Sequence, residues 1–410
     1  ELDFNIPGEP TDTWGPVTAT WELPLTSRPV GLNEIRLRAT DTSGNLSSIL
    51  TVQLVRDLPD TTPGTWVGLI DAGEAAAGTA GAVQLIVAKK GAVTGRATIR
   101  GYGTPRQIPL KGAWVGSSFY ALGKFGSNSL VEVRGVLTAE VSPGGSSDFF
   151  AGKVRLITSA NLPTETVVDL GDVSGFRNIY STRNKLPTEL VRRFNAYAGP
   201  GDSPVGHCHF SLRPGSSGRV SLAGRTADGS VLTGSGRIGS GFNLPLFSPL
   251  YCGLGSLSGL FVFDPTTATV TGSQVRWMRP PQFRDGIFAD GFAFDLTVAR
   301  GTAYTSVSLP KEFKVEVQGE GITGVLQGDA SVGTRDLVTV TPSSTAMALK
   351  VNRSTGEVSG SFPTPNSPNT QANISGRLIG NDFFGYYATP PGKKGAPRVF
   401  GSILFQGVPQ

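Results

Sequence analysis

A chain of 410 residues with 55 glycines and 29 prolines has room for two or three domains, and that density of turn formers excludes a fold of long helices. Charged residues make up only 16%, against roughly 25% in an ordinary soluble domain, so Ser, Thr and Gly must carry the solvent face, as on an extracellular β surface. The formal charge of +5 is scattered without a basic run and no 18-residue apolar stretch exists, so neither a nucleic-acid partner nor membrane insertion is expected.

Apolar residues account for 38% of the chain and fall in alternating runs, which predicts a folded all-β protein rather than disorder. Residues 1–58 open with Trp21–Leu25, continue through Gly31–Asp41 and end in a strand at Ser48–Val55. Ile35, Leu37 and Ala39 alternate with Glu34, Arg36 and Arg38, the pattern of a strand with one wet face. The run Gly31–Asn45 resembles the last strands of bacterial Ig-like domains. The resemblance implies the C-terminal half of a sandwich, since a whole one needs about 100 residues. Upstream residues of a longer polypeptide, or a neighbouring subunit, are expected to complete it by strand addition. The residues from Glu1 onward do not read as a signal peptide. A chain that starts in mid-domain is still compatible with secretion.

Asp57–Gly64 is a linker by composition. Three modules are expected after it: 59–165, 166–308 and 309–410. One hairpin layout recurs through them, at Gln84–Ile99, His209–Leu222 and Ala348–Phe362: an apolar alternating strand, a polar turn with Gly, and a second alternating strand. Leu85 and Val87, Phe210 and Leu212, and Leu349 and Val351 are expected to face inward. A sheet of this size must curl or split, so residues 59–410 are expected to close into one or two barrels or sandwiches. Pro187–Phe194 is the only helix candidate, of marginal length, and it fits a strand almost as well.

The segments GTWVGLI at Gly64, VSLAGRTADG at Val220, PLYCGLGSLSG at Pro249, GFAFDLT at Gly291, STGEVSGSF at Ser354 and FFGYY at Phe383 resemble, in this order, the Gly-rich β-modules of the C-terminal regions of large secreted bacterial surface proteins. That likeness implies an extracellular or cell-surface location and an all-β fold. Cys208 and Cys252 depart from the pattern, which has small residues there. Three N-x-S/T sequons, at Asn45, Asn352 and Asn373, are chance matches in a bacterial protein.

Few residues bear chemistry. Cys208 and Cys252 are the only cysteines and sit on apolar strand faces. An even pair in a secreted chain predicts a disulfide, closing a loop worth about 4 kcal/mol. Two buried thiols are the alternative. His207 and His209, the only histidines, share one strand face. That spacing can bind a transition metal, yet only Asp202 lies near, so solvent-facing histidines are expected. Gly234–Gly239 spells G-x-G-x-x-G, but Ser240–Pro245 cannot start the helix that a dinucleotide site needs. The acidic residues Asp169, Asp172, Asp285, Asp290 and Asp295 lack the spacing of a calcium loop. Trp277, Phe283, Phe288 and Phe292 lie in the densest aromatic segment. Exposed, they would form a sugar-stacking platform or an interface. Buried, they are core.

The expectation is therefore an all-β chain, a partial Ig-like sandwich followed by antiparallel barrel or sandwich modules. Its expected role is that of a non-enzymatic structural segment of a secreted surface or filament protein, with no cofactor and no metal. Copies of itself or neighbouring domains are the expected partners, and a carbohydrate-binding adhesin module is the alternative.

Overall fold

The computed structural model describes residues 31–37, 50–56, 63–71, 80–100, 106–115, 117–137, 148–158, 166–199, 206–281, 290–305, 312–320, 322, 325–333, 336–341, 347–364, 367–390 and 398–408. Strands β1 (Gly31–Leu37) and β2 (Leu50–Arg56) form an antiparallel hairpin with Ile35 opposite Val52. The other strands expected of an Ig-like half lie outside the described residues.

The first closed barrel contains β3 (Gly64–Asp71), β4 (Gly81–Val87), β5 (Ala92–Ile99), β6 (Arg106–Val115), β7 (Ser118–Lys124), β8 (Ser129–Leu137), β9 (Phe149–Thr158) and β10 (Thr166–Asn178). Each strand pairs with the next, and β10 returns to β3 with Gly175 opposite Gly68. Eight strands leave an interior that side chains can fill. Trp66 and Trp114 lie 4.7 Å apart, Phe119 stacks on Trp114 at 4.9 Å, and Phe150 meets Phe119 edge-on at 5.1 Å. All four rings are buried. Gly68 makes room for them, because a Cβ there would stand 2.9 Å from Phe150 Cζ. The expected module boundary at 165 falls one strand short. Closure by β10 pairs residues about 100 positions apart, and no local pattern reports such a pairing.

A 3-10 turn at Thr188–Leu190 replaces the short helix considered for Pro187–Phe194. Leu190 is fully buried and Phe194 opens the next strand. The middle module contains β11 (Phe194–Gly199), β12 (Cys208–Pro214), β13 (Arg219–Arg225), β14 (Val231–Arg237), β15 (Asn243–Leu250), β16 (Gly255–Asp264), β17 (Thr269–Arg279), β18 (Phe292–Asp295) and β19 (Val298–Ala303). The order is β14-β13-β12-β11-β19-β17-β16-β15, with β18 on β17. The β16–β17 ladder slips between Ser258 and Leu260, and near the slip Gln274 takes a φ of 51°. Such a bulge re-aims a strand: Thr269–Thr271 pair with β19, whereas Arg276–Arg279 pair with β18.

The last module closes fully from β20 (Glu312–Gly319), β21 (Leu326–Val332), β22 (Leu337–Thr341), β23 (Ala348–Asn352), β24 (Glu357–Thr364), β25 (Ser367–Ile379), β26 (Asp382–Ala388) and β27 (Phe400–Gly407), with β27 returning to β20. The three expected hairpins are β4–β5, β12–β13 and β23–β24. Leu85, Val87, Phe210, Leu212, Leu349 and Val351 are all buried. The chain is all-β, with antiparallel sheets that close into barrels.

Candidate functional site

The middle module departs from its neighbours in one respect. Its first and last strands, β11 and β19, are paired, so the break in its hydrogen-bonded circuit falls between β14 and β15. The sequence of β15, Asn-Leu-Pro-Leu-Phe-Ser-Pro-Leu, explains why. Pro245 and Pro249 are four residues apart and so present the same strand edge. Neither has an N–H, and proline is tolerated in a strand only where that N–H would point away from the ladder. With β16 on one side, the edge lacking donors is the one toward β14.

Side chains hold the seam instead. Ser248 Oγ donates to the Thr233 carbonyl at 2.7 Å. Gly236 allows close approach, since a Cβ there would be 2.6 Å from Leu244 Cδ1. At Gly239 a Cβ would collide with Phe176 of the first barrel. Gly236 and Gly239 of the G-x-G-x-x-G string thus serve close packing at the seam and joint.

One end of the seam is locked by a buried polar cluster. Asp228, in the β13–β14 turn, forms an ion pair with Arg279 at 2.9 Å, with both side chains almost fully buried. Its Oδ2 also accepts the Tyr251 hydroxyl at 2.7 Å, and its Oδ1 accepts Thr226 Oγ1 at 2.6 Å and the Ser230 N–H at 3.0 Å. Trp277 Nε1 donates to the Tyr251 oxygen at 3.1 Å. Burial, reinforced by the Asp228 charge, drives the Tyr251 phenol pKa far up, so Tyr251 stays a neutral donor. Tyr251 and Cys252 both have positive φ, 52° and 57°, a conformation costly for residues other than glycine. Every lone pair of the buried carboxylate that matters is matched, as a buried charge requires. The cluster clamps the turns flanking the seam and is structural.

Above the seam lies a cleft of 270 Å³ between the first barrel and the middle module. Gln84, Arg96, Thr98 and Gln107 line it from the first barrel. Arg219, Ser235, Arg237, Pro245 and Phe247 line it from the middle module. Arg219 and Arg237 are direct cross-strand partners. An apolar contact of Ala80, Phe247 and Met278, flanked by Leu69 and Ala82, joins the two modules beside it.

The histidines occupy the opposite joint, against the last barrel. Both are buried, which corrects the expectation that they face solvent. The face of β12 that they share is covered by β25 and β26. Tyr197 stacks on Phe384 at 3.7 Å with planes 3° apart, and His207 meets both rings edge-on. His209 Nε2 lies 3.0 Å from Ser375 Oγ, and its ring stacks on Tyr386. Burial lowers the His207 pKa to about 4, opposed by the Gly385 carbonyl. Burial, with Arg377 and Arg225 adding to it, holds His209 well below its ordinary value. Asn195 Nδ2 donates across the same joint to the Leu378 and Thr355 carbonyls, at 3.0 and 2.9 Å.

Cys208 and Cys252 are free thiols, not a disulfide. Cys208 is buried on β12, where burial pushes its pKa up to about 12. Cys252 is exposed on the β15–β16 turn, and β13, β14 and the seam lie between them. Trp277 is core: it is 1% exposed, so no aromatic platform is built on it. Phe292 is half-buried, edge-on to Trp277 at 4.6 Å and stacked on Phe294 at 4.1 Å. Phe283, Phe288 and Asp285 lie outside the described residues. Asp169 bonds Arg155 at 3.0 Å, Lys153 reaches both Asp169 and Asp172 at 3.5 Å, and Asp295 pairs with Arg276 at 3.0 Å. Sequence reasoning missed Asp228, Arg279, Tyr251 and the three arginines of the cleft. Only the two prolines of β15 hinted at a seam.

No family model matches the chain, and no curated protein matches it. Among solved structures it is similar to a mutant of transferrin binding protein B from Haemophilus parasuis Hp5, at 11% identity over 92% of this chain and 86% of that one, with a TM-score of 0.23. It is also similar to the isotype 1 transferrin binding protein B of serogroup B Neisseria meningitidis, at 12% identity over 92% and 84% and a TM-score of 0.19.

Proposed function

We propose that this chain is a non-enzymatic structural segment of a secreted bacterial surface or filament protein, acting through module packing and strand edges. The joint between the middle module and the last barrel carries this reading. Tyr386, Ala388 and Phe400 of the last barrel belong to the same buried apolar cluster as Phe210 and Phe261 of the middle module. Modules that share a core resist bending at their junction, a property suited to a scaffold. The first barrel and the last barrel have side-chain-filled interiors, so contacts with partners fall to outer faces and edges. The hairpin β1–β2 supplies such an edge within residues 1–58.

The test compares the full chain with a variant lacking residues 1–58, by sedimentation velocity and electron microscopy over a concentration series. Concentration-dependent assembly is expected of the full chain. The shortened chain should stay monomeric with an unchanged far-UV spectrum. A shortened chain that assembles equally well would assign assembly to the barrels. A full chain that stays monomeric at every concentration would overturn the reading.

A further inference from the structure

We propose that the cleft over the β14–β15 seam binds an acidic saccharide, with the carboxylate or sulfate ester of one sugar unit held between Arg219 and Arg237 and approached by Arg96 from the first barrel. Three observations carry this. Arg219 and Arg237 stand directly opposite each other on paired strands, where like charges repel. Among the described residues no carboxylate pairs with either, or with Arg96, whereas Arg155, Arg177, Arg276 and Arg279 each have one. A third cation, Arg96, lines the same cleft from across a module joint packed by Phe247, Met278 and Ala80, so all three arginines border one cavity without a hinge between them.

The remaining lining selects the ligand class. Guanidinium groups match the planar fork of a carboxylate or the oxygens of a sulfate ester. Gln84, Gln107, Thr98 and Ser235 bring neutral donors and acceptors, the complement of sugar hydroxyls. The volume of 270 Å³ sits just below the usual span of about 300–1,000 Å³ for ligand pockets, room for one unit of a chain that continues into solvent. An acidic peptide fits less well. Extended peptides bind by adding to a free strand edge, and here Leu244 and Pro245 press against the β14 edge at Gly236.

The proposal is independent of the assembly described above, because its residues lie outside segment 1–58. The experiment titrates the full chain by isothermal calorimetry with four probes of similar length: oligogalacturonate, a sulfated dextran oligosaccharide, neutral dextran oligosaccharide and oligoglutamate. Binding of oligogalacturonate or of the sulfated probe is expected, and which one binds separates carboxylate from sulfate recognition. The affinity should fall at least tenfold in R219Q/R237Q and several-fold in R96Q. R237K should recover only part of it, because the bidentate fork is lost. All three side chains changed here are exposed or half-exposed, and unchanged melting temperatures confirm folding. Equal binding of neutral dextran, tighter binding of oligoglutamate, or an affinity unmoved in R219Q/R237Q would each overturn the proposal, as would failure of both acidic saccharides to bind.

Discussion

Acid should loosen the joint that His207 and His209 occupy. Both imidazoles are buried among rings and held neutral. The pKa of His207 is about 4 in the folded chain against 6.5 for the free side chain. Between those values the unfolded chain binds the proton and the folded chain does not, so stability rises with pH across that window. Read downward, the stability is whole above the unfolded value, declines from there, and reaches its floor as the pH passes the folded one. At about 1.4 kcal/mol for each tenfold change in proton affinity, His207 alone withdraws about 3 kcal/mol, and His209 acts in the same direction. That is a large share of the roughly 5–15 kcal/mol that holds an ordinary domain together. The chain has only two histidines, so an NMR spectrum should contain two imidazole Cε1–H resonances, both at neutral-ring positions at about pH 6. Urea melts from about pH 7 to about pH 4 should show the decline, and H207Q should flatten it while leaving the His209 part. A histidine that titrates near its free value in the folded protein, or urea midpoints that do not move with pH, would refute the reasoning.

Three other outcomes follow from the packing. D228N leaves the Arg279 guanidinium buried without its countercharge and should cost about 3–5 kcal/mol in urea unfolding, whereas Y251F, which takes one donor from the buried carboxylate and leaves the Trp277 N–H without its acceptor, should cost about 2–3 kcal/mol. G68A places a methyl against Phe150 and the Ser174 carbonyl and should cost about 1–3 kcal/mol by overpacking, read as a lower melting temperature. A thiol reagent should modify Cys252 in the native protein and reach Cys208 only after denaturation, so a native count of two or of none would contradict the placement of these side chains.

The hairpins were legible because alternation is local. Leu85, Phe210 and Leu349 announce an inward face within a few residues, and a Gly-bearing turn announces the return. Barrel closure was not legible, since β10 meets β3 across about 100 residues and each strand looks alike. The histidines show how a surface can mislead. Alternation correctly set His207 and His209 on the outer face of β12, but that face is covered by another module. A signal was present in Cys208–Leu212, which carries no charge on either side, as strands buried on both faces tend to read. The Cys pair failed for a similar reason: both lie near apolar strand ends, and nothing local says that two strands and a seam separate them. Asp228 reads as an ordinary Asp-Gly turn, and its partner Arg279 lies 51 positions away.

The closing ladders of the three modules also set the order in which this chain can fold. Within each module almost every strand pairs with one made just before it. The one distant ladder joins the first strand to the last: β3 to β10, β11 to β19, β20 to β27. A chain delivered from its N-terminus, whether by a ribosome or through a secretion pore, can therefore build hairpins as they emerge. It commits each module only when the last strand of that module arrives. The unfinished stretch never exceeds about one module, which limits how many sticky strand edges are exposed at once. The middle module gains most, because its own gap, at β14–β15, is bridged by side chains long before β19 emerges. Vectorial delivery and sequential closure then run in step, and a length that would be hazardous for a single large sheet becomes three short waits.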